Sequence, residues 1–387
     1  MLKKYHSSLK IYISLILTSI ILSGCWDVME VNDLAIVIAT GIDQIEDEQI
    51  EVTFLLYVPN PSGGASGEES GSSKNSYSVS MTGDTFSDAV MKLESEVPRE
   101  IFWGHSNIFI FGSELAKNEL GKQLDFLVRT AEPREQSQIY ISQDKAKVEI
   151  NKFVNINTAE LFSKIPKSRY LKSITLKDTE EMLVNNSQAG LIPVSDTNSI
   201  KTSADTIDSF AVKGSAIIYQ GKMISIISGE KDIGSQWLLF PKTNIPITIN
   251  PVEKNGKVTA QTSKKSIKVT PLLEEEKWRI KLKVNSDLVI LQNSTNLDIY
   301  NTSVKNQLEK EFSKKIKGDI EDFLNHIQKD LRADVLQFYE AFHRSYPKET
   351  DDVKENWEEQ YENIEVSIQV EVNIKNPGVT NLNIEKK

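Results

Sequence analysis

The sequence predicts a mixed α/β protein, of the α+β kind, in which three consecutive domains each pack a β-sheet against helices. Three patterns support this fold class. The first half alternates strand and helix periodicities, the middle carries turn signals between apolar strands, and the last third combines a long apolar helical stripe with a strictly alternating strand. A length of 387 residues is enough for two or three such domains.

Residues 1–24 are predicted to be a signal peptide. Three lysines precede an apolar run over residues 11–22, and small residues follow it. The run is about twelve residues long, which is too short for a helix that spans a bilayer. The segment is therefore expected to direct secretion.

The end of this segment carries the only cysteine of the chain, Cys25. Leu22-Ser23-Gly24-Cys25 resembles the bacterial lipobox, which implies cleavage between Gly24 and Cys25 and a diacylglycerol on the Cys25 sulfur, with N-acylation as a further modification. Two acyl chains give stable anchoring where one gives only marginal binding. Loss of the three lysines leaves a mature chain of net charge −13, so the lipid is expected to hold it on the outer face of the membrane.

Residues 25–195 are predicted to form an N-terminal α/β domain. A dense run of β-branched residues with glycine over 33–43 predicts a buried strand. Six serines and four glycines among the seventeen residues 60–76 predict a flexible surface loop. Periodicity predicts further strands at 51–58, 77–81, 106–111 and 136–141, and helices at 85–96, 113–129, 158–162 and 176–185.

Residues 205–255 are predicted to form a small hairpin-rich middle domain, after a polar linker over 193–209. Gln220-Gly221 separates two apolar strands and predicts a two-residue turn, because glycine accepts positive φ. A short helix over 234–240 is expected to cover that hairpin.

Residues 260–380 are predicted to form a C-terminal domain with a long helix and an amphipathic strand. Apolar residues recur at steps of three or four between Val304 and Leu331, with Gly318 as a weak point of the helix. Apolar and polar residues alternate strictly over 364–374, which predicts a strand with one face on the helix.

Composition excludes several classes of protein. The formal net charge is −10, and an acidic chain does not offer the clustered basic face that DNA or RNA requires. One cysteine excludes a disulfide framework and every multi-cysteine metal site. Neither a nucleophile elbow nor a phosphate-binding loop occurs in the sequence. We therefore expect no catalytic residues, no metal and no cofactor.

The histidines do not form a metal motif. His105, His326 and His343 each lack a second histidine or cysteine at three- or four-residue spacing, and ordinary structural or surface roles are favoured for them. The stretch 129–135 leaves a helix with two arginines and two acids close together. A salt-bridged turn is the simpler interpretation, and a partner surface formed by Arg129, Glu132, Arg134 and Glu135 is the alternative.

Four segments together resemble the C subunit of the nutrient germinant receptors of spore-forming bacteria, the lipoprotein of the three-subunit GerA-type complex. They are Gly24 to Asp43 with its lipobox, Arg129 to Glu135, Lys213 to Leu238 with its Lys213-Gly214-Ser215-Ala216 and Gly234-Ser235-Gln236-Trp237-Leu238 stretches, and Asp334 to Gly378 with Tyr346-Pro347 and Trp357. The resemblance spans essentially the whole mature chain. The loop at 60–76 is longer than the pattern of the family requires.

This resemblance implies a three-domain, non-enzymatic protein anchored on the outer surface of the inner spore membrane. It also implies two partners, the A-type and B-type integral membrane subunits of the receptor. A different class of protein fits the anchor and composition, namely a solute-binding lipoprotein that delivers a ligand to a transporter. That class requires two similar lobes around one cleft, whereas here the thirds of the chain differ in pattern. A lipid-anchored hydrolase is a third reading, which the missing nucleophile motifs disfavour.

Overall fold

A computed structural model describes residues 33–58, 76–104, 106–130, 133–154, 164–201, 206–251 and 255–376. Within these ranges the chain forms two β-sheets, one of nine strands and one of four, with helices packed on both. The prediction of a mixed α/β fold is confirmed. The predicted signal peptide, most of the loop 60–76 and the helix expected at 158–162 lie outside the described residues.

The first sheet has a parallel centre between antiparallel flanks. Its strand order is β3-β2-β1-β5-β6-β7-β8-β9, with the short β4 paired to β1. Strands β1, β5, β6 and β7 run parallel, and β2–β3 and β8–β9 are antiparallel extensions on either side. The strands are β1 Leu34–Gln44, β2 Ile50–Tyr57, β3 Ser76–Gly83, β4 Glu100–Phe102, β5 Ile108–Phe111, β6 Gln138–Ser142, β7 Ala189–Lys201, β8 Thr206–Tyr219 and β9 Lys222–Ser228.

Five helices accompany these strands in the described residues: α1 Phe86–Glu96, α2 Ser113–Asn118, α3 Leu120–Arg129, α4 Ala146–Phe153 and α5 Leu176–Val184. The single helix predicted over 113–129 is interrupted, because Glu119 leaves the helical conformation with φ −137°. At the end of β1, the Asp43 carboxylate accepts hydrogen bonds from the backbone N–H groups of Ala146 and Lys147, both at 2.8 Å. Asp43 thereby satisfies free N–H groups in the first turn of α4.

The linker predicted over 193–209 is wrong. Residues 189–201 and 206–219 pair antiparallel as β7 and β8, with Ser195 opposite Val212 and Lys201 opposite Thr206. A backbone ladder forms here although the side chains are polar, because the main-chain hydrogen bonds do not depend on them. The predicted turn at Gln220-Gly221 is confirmed, since both residues have positive φ, 50° and 74°.

The second sheet has the order β10-β11-β12-β13, and β12 and β13 run parallel. Its strands are β10 Pro246–Ile249, β11 Val258–Glu274, β12 Lys277–Asn293 and β13 Glu365–Asn376. The helices of this part are α6 Glu230–Leu239, α7 Thr302–Asn325, α8 Phe338–Ser345, α9 Pro347–Asp352 and α10 Trp357–Asn363, and a π-helical turn over His326–Asp330 continues α7.

The long helix and the alternating strand are confirmed. In the apolar stripe of α7, Phe312, Ile316 and Ile320 are fully buried, and β13 places its apolar residues toward the same core. Gly318 does not break the helix. A helix of this length is held because one continuous face packs on the sheet.

One hydrophobic cluster joins the two sheets. It contains Leu191 and Ile217 of the first sheet together with Trp237 of α6, Leu282 of β12 and Phe312 of α7. Strands β8 and β9, which were expected in a middle domain, pair within the first sheet, and β10 pairs within the second. The division into domains at 25–195, 205–255 and 260–380 stays a prediction.

Candidate functional site

Three of the predicted site residues lie outside the described part of the chain. These are Gly24 and Cys25 of the lipobox and Glu132 of the 129–135 turn. Lipidation of Cys25 and cleavage after Gly24 therefore stay predictions. His105 lies outside the described residues as well.

In the turn after α3, the charged side chains of Arg129, Arg134 and Glu135 are exposed. The Arg129 Nε donates to both carboxylate oxygens of Asp125, at 2.9 and 2.8 Å, so this arginine pairs within its own helix. Backbone carbonyls position the rest of the turn: that of Arg134 accepts from Ser137 N–H at 2.9 Å, and that of Glu135 accepts from Lys177 N–H at 3.2 Å. Arg134 and Glu135 face solvent. A partner surface at Arg129, Glu132, Arg134 and Glu135 stays a prediction.

A cleft of about 930 Å³ lies beside this turn, between the first sheet and the second. The segment 167–175 and helix α5 form one wall. Residues 241–244 after α6, 262–265 of β11 and 335–337 before α8 form the other. Gln136 lines the cleft directly after the 129–135 turn. The size falls within the usual range of small-molecule sites, about 300–1,000 Å³.

Cationic side chains predominate around the cleft. Lys167, Arg169, Lys242, Lys264 and Lys265 line it, against the two carboxylates Asp178 and Glu181. In the described part of the chain, no carboxylate forms an ion pair with any of the five cations. Asp178 is already engaged, because it closes the capping box of α5 with Thr175. The chain as a whole is acidic, so this concentration of positive charge is local.

Lys265 is the half-buried cation of the group. Its Nζ donates to the Gln236 carbonyl oxygen at 2.5 Å and lies 5.7 Å from the centroid of the Trp237 ring. Gln236 belongs to the last turn of α6, where carbonyl groups are free and a cation is favourable. Burial lowers the pKa of Lys265 to about 7. A signal in the sequence points to this residue, since Lys265 is in phase with Ile267 and Val269 on the apolar side of β11.

A buried ion pair lies immediately behind the cleft. Lys172, next to the cleft residues Leu171 and Ser173, pairs with Asp232 of α6, and both side chains are 5% exposed. Lys172 Nζ also donates to the Gly214 carbonyl at 2.8 Å, while the Ser215 and Ser235 hydroxyls each lie 2.7 Å from Asp232 Oδ1. Desolvation lowers the pKa of Lys172, opposed by the Asp232 charge. The network joins the first sheet to α6.

A second buried carboxylate, Asp334, directly precedes the cleft residues 335–337. Asp334 accepts hydrogen bonds from the N–H groups of Phe338 and Tyr339, both at 2.8 Å, from Ser187 Oγ at 2.9 Å and from Trp357 Nε1 at 3.1 Å. Burial raises the pKa of Asp334 to about 6, although these hydrogen bonds oppose the rise. Ser187 belongs to the segment between α5 and β7, so Asp334 joins that segment to α8 and α10.

In the part of the chain that the structure describes, the remaining titratable groups do not assemble into a catalytic set. His326 Nδ1 lies 2.9 Å from Asp330, and His343 Nε2 lies 3.2 Å from Asp351, both on helical surfaces. Among the described residues, no group of three or more histidines, cysteines, aspartates or glutamates could hold a metal ion. No helix within the described ranges is long and apolar enough to cross a membrane.

Two family models match this chain in succession. Residues 27–197 match the spore germination protein N-terminal domain, and residues 213–378 match the domain described as spore germination B3/GerAC like, C-terminal. Together these ranges take up most of the chain and define its class, a spore germination protein.

Known proteins agree with this class. Spore germination protein KC of Bacillus subtilis (strain 168) is 24% identical over 393 residues, which cover 95% of this chain and 95% of the relative. Spore germination protein B3 of the same organism is 21% identical over 378 residues, covering 92% and 95%. The crystal structure of the GerBC protein matches with a TM-score of 0.54 at 17% identity, over 87% of this chain and 97% of that one.

The chain therefore belongs to the GerAC family and is a germinant-receptor C subunit. Members of this family are not known as enzymes. The resemblance noted in the sequence is confirmed, and the two-sheet fold is GerBC-like. Periodicity does not indicate Lys172 or Asp334 as site residues, because the contacts that give them a role join distant parts of the chain.

Proposed function

We propose that this protein is the lipid-anchored, non-enzymatic subunit of a spore germinant receptor. Cys25 carries the lipid and holds the folded domains on the outer face of the inner spore membrane. There they contribute to nutrient-triggered germination through assembly or signalling with the A-type and B-type integral membrane subunits.

The observation that carries this proposal is the spacing between the lipobox and the family domain. The match to the N-terminal domain begins at residue 27, two residues after Cys25, and β1 begins at Leu34. Nine residues span at most about 30 Å when fully extended. A lipid on Cys25 would thus confine the first sheet to a thin layer above the bilayer.

Such confinement favours weak contacts between subunits. Tethering raises the effective concentration of one partner near another, so individually weak interfaces give stable association. The exposed turn with Arg129, Arg134 and Glu135 is a candidate contact for such an interface. Two sheets of nine and four strands are unlike the similar lobes of a solute-binding lipoprotein, which favours the receptor role over that alternative.

Replacing Cys25 tests the anchor. In Cys25→Ala the thioether cannot form, and the chain keeps only the apolar run 11–22, which is too short to span the bilayer. We expect membrane-associated protein to fall by about tenfold or more and nutrient-triggered germination to slow, while protease resistance of the domains is unchanged. Fractionation of spores and the fall in optical density during germination measure the two effects.

The matched control is Ser23→Ala, which keeps a small residue in the lipobox and should behave as wild type. Mass spectrometry of the mature wild-type chain should find the diacylglycerol on Cys25. Normal germination by a soluble, unlipidated Cys25→Ala protein would contradict the proposal, and so would an unmodified thiol on the mature wild-type chain.

A further inference from the structure

We propose that the cleft between the two sheets binds a small organic anion through a carboxylate or phosphate group, with Lys265 and Arg169 as its main cationic contacts. The inference does not depend on the proposed receptor role, because it follows from the shape and charge of the cleft alone.

The main support for an anion site is the group of positive charges that lines the cleft. A charged group removed from water is costly unless an opposite charge or hydrogen bonds compensate it. Lys265 is half-buried at the cleft wall and uses one of its three N–H groups on the Gln236 carbonyl, so the ammonium can donate to a ligand as well. Arg169 and Lys242 add two exposed positive charges to the lining of the same cleft. An anion would satisfy all three.

The neutral polar groups of the cleft fit a compact oxyanion. Thr243, Asn244 and Ser263 place hydroxyl and amide groups among the cations, and these donate readily to carboxylate and phosphate oxygens. An arginine can grip either group with two parallel hydrogen bonds. Leu171 and Phe240 supply apolar surface for the carbon skeleton of an organic acid. Small-molecule sites typically combine apolar walls with a few such polar groups.

Backbone conformation adds an independent observation. Gln337, which lines the cleft, holds φ 57° and ψ 44°, a left-handed conformation that is uncommon for a residue other than glycine. Its N–H donates to the Asp334 carbonyl at 3.1 Å, so the turn around buried Asp334 maintains this conformation. Strained positions of this kind cluster at ligand sites. Gln337 therefore contributes a conformationally constrained residue to the lining of the cleft.

Titration calorimetry on the purified full-length protein in detergent, at constant ionic strength, tests the proposal. The probes are succinate, inorganic phosphate and the uncharged isostere succinamide. We expect succinate or phosphate to bind and succinamide to give no signal. Tighter binding of succinate would indicate that the natural ligand is an organic acid. Tighter binding of phosphate would indicate a phosphorylated ligand. Lys265→Met and Arg169→Gln should each weaken binding by about tenfold.

Chemical labelling gives a second readout that does not rely on a variant. Acetylation of Lys265, followed by mass spectrometry, should slow when the anion is present, whereas acetylation of exposed Lys268 outside the cleft should not change. Lys268→Met is the matched control for affinity and should bind as wild type. Equal affinity in wild type, Lys265→Met and Arg169→Gln would overturn the proposal, as would the absence of any saturable binding up to the millimolar range.

Discussion

Glu149 is a carboxylic acid enclosed between α4 and the first sheet, with a relative exposure of 4%. Ser195 Oγ donates to it at 3.0 Å. Desolvation by burial raises its pKa to about 7, although the hydrogen bonds from Ser195 and Ser142 and the charge of Lys152 oppose the rise. A native pKa above the unfolded value means that the folded state binds the proton more tightly.

Stability should therefore fall as pH rises through this range. The contribution of Glu149 is fully present below its unfolded pKa, near 4.5, and is lost as pH rises through about 7. Glu149→Gln removes the titration, so the free energy of unfolding of wild type relative to the variant should drop by about 2–3 kcal/mol from pH 4.5 to 7. Urea unfolding across this pH range measures it. Exposed Glu94→Gln is the control, and a parallel profile for wild type and Glu149→Gln would contradict this account.

For single residues, the sequence predicts the position within an element but not the distant contact partner. Asp43 stands out in the sequence as the acid that ends a buried strand, and its place in the sheet was predictable. Its role as the cap of α4 was not, because Ala146 is 103 residues away. Lys172 and Asp232, 60 residues apart, meet for the same non-local reason. Periodicity describes which face a residue occupies and carries no information about which distant residue lies opposite.

Helices α6 and α7 approach closely where Gly234 faces α7. A Cβ added at Gly234 would lie 2.3 Å from the Asp319 carbonyl oxygen and 2.4 Å from Phe323 Cβ. Real atoms do not approach so closely, so one helix would have to move. In contrast, a Cβ at Gly318, also on α7, meets nothing within 4 Å.

The two glycines should therefore respond to alanine with opposite signs. Gly234→Ala forces the helices apart and should lower the free energy of unfolding by about 1–3 kcal/mol. Gly318→Ala adds helix propensity without a clash and should raise it by about 0.5–1 kcal/mol. Thermal and denaturant unfolding of the full-length chain measure both changes, and each variant serves as the control for the other. Equal shifts in the same direction would show that the close approach at Gly234 is unimportant.

Whole elements were more predictable from the sequence than contacts. Strict alternation predicted β13, and the apolar stripe predicted α7, because each pattern reports one continuous buried face. The β7–β8 hairpin failed as a prediction because polar side chains dominate between Asp196 and Ser209 while the backbone ladder still forms. The cleft also could not be foreseen, since its walls come from segments between 136 and 337 that only the assembled fold brings together.

At the scale of the molecule, buried polar groups and one shared core join the two sheets. The Lys172–Asp232 pair links the segment before α5 to α6, and α6 packs on α7, which covers the second sheet. Ser187 and Asp334 make a second link between the two parts. The hydrophobic cluster that contains Trp237 extends into both sheets. This continuity predicts that both sheets unfold in one cooperative transition.

Breaking the Lys172–Asp232 pair tests that coupling. Lys172→Met leaves the Asp232 charge buried without its partner and should lower the free energy of unfolding by about 3–5 kcal/mol. In the double variant, Lys172→Met with Asp232→Leu, neither charge is left alone, so its free energy of unfolding should lie closer to that of wild type. In hydrogen exchange with mass spectrometry, peptides from β1 and β12 should lose protection at the same denaturant concentration in all variants. If β12 kept its protection after β1 had lost it, the sheets would be independent units and the pair only a local contact.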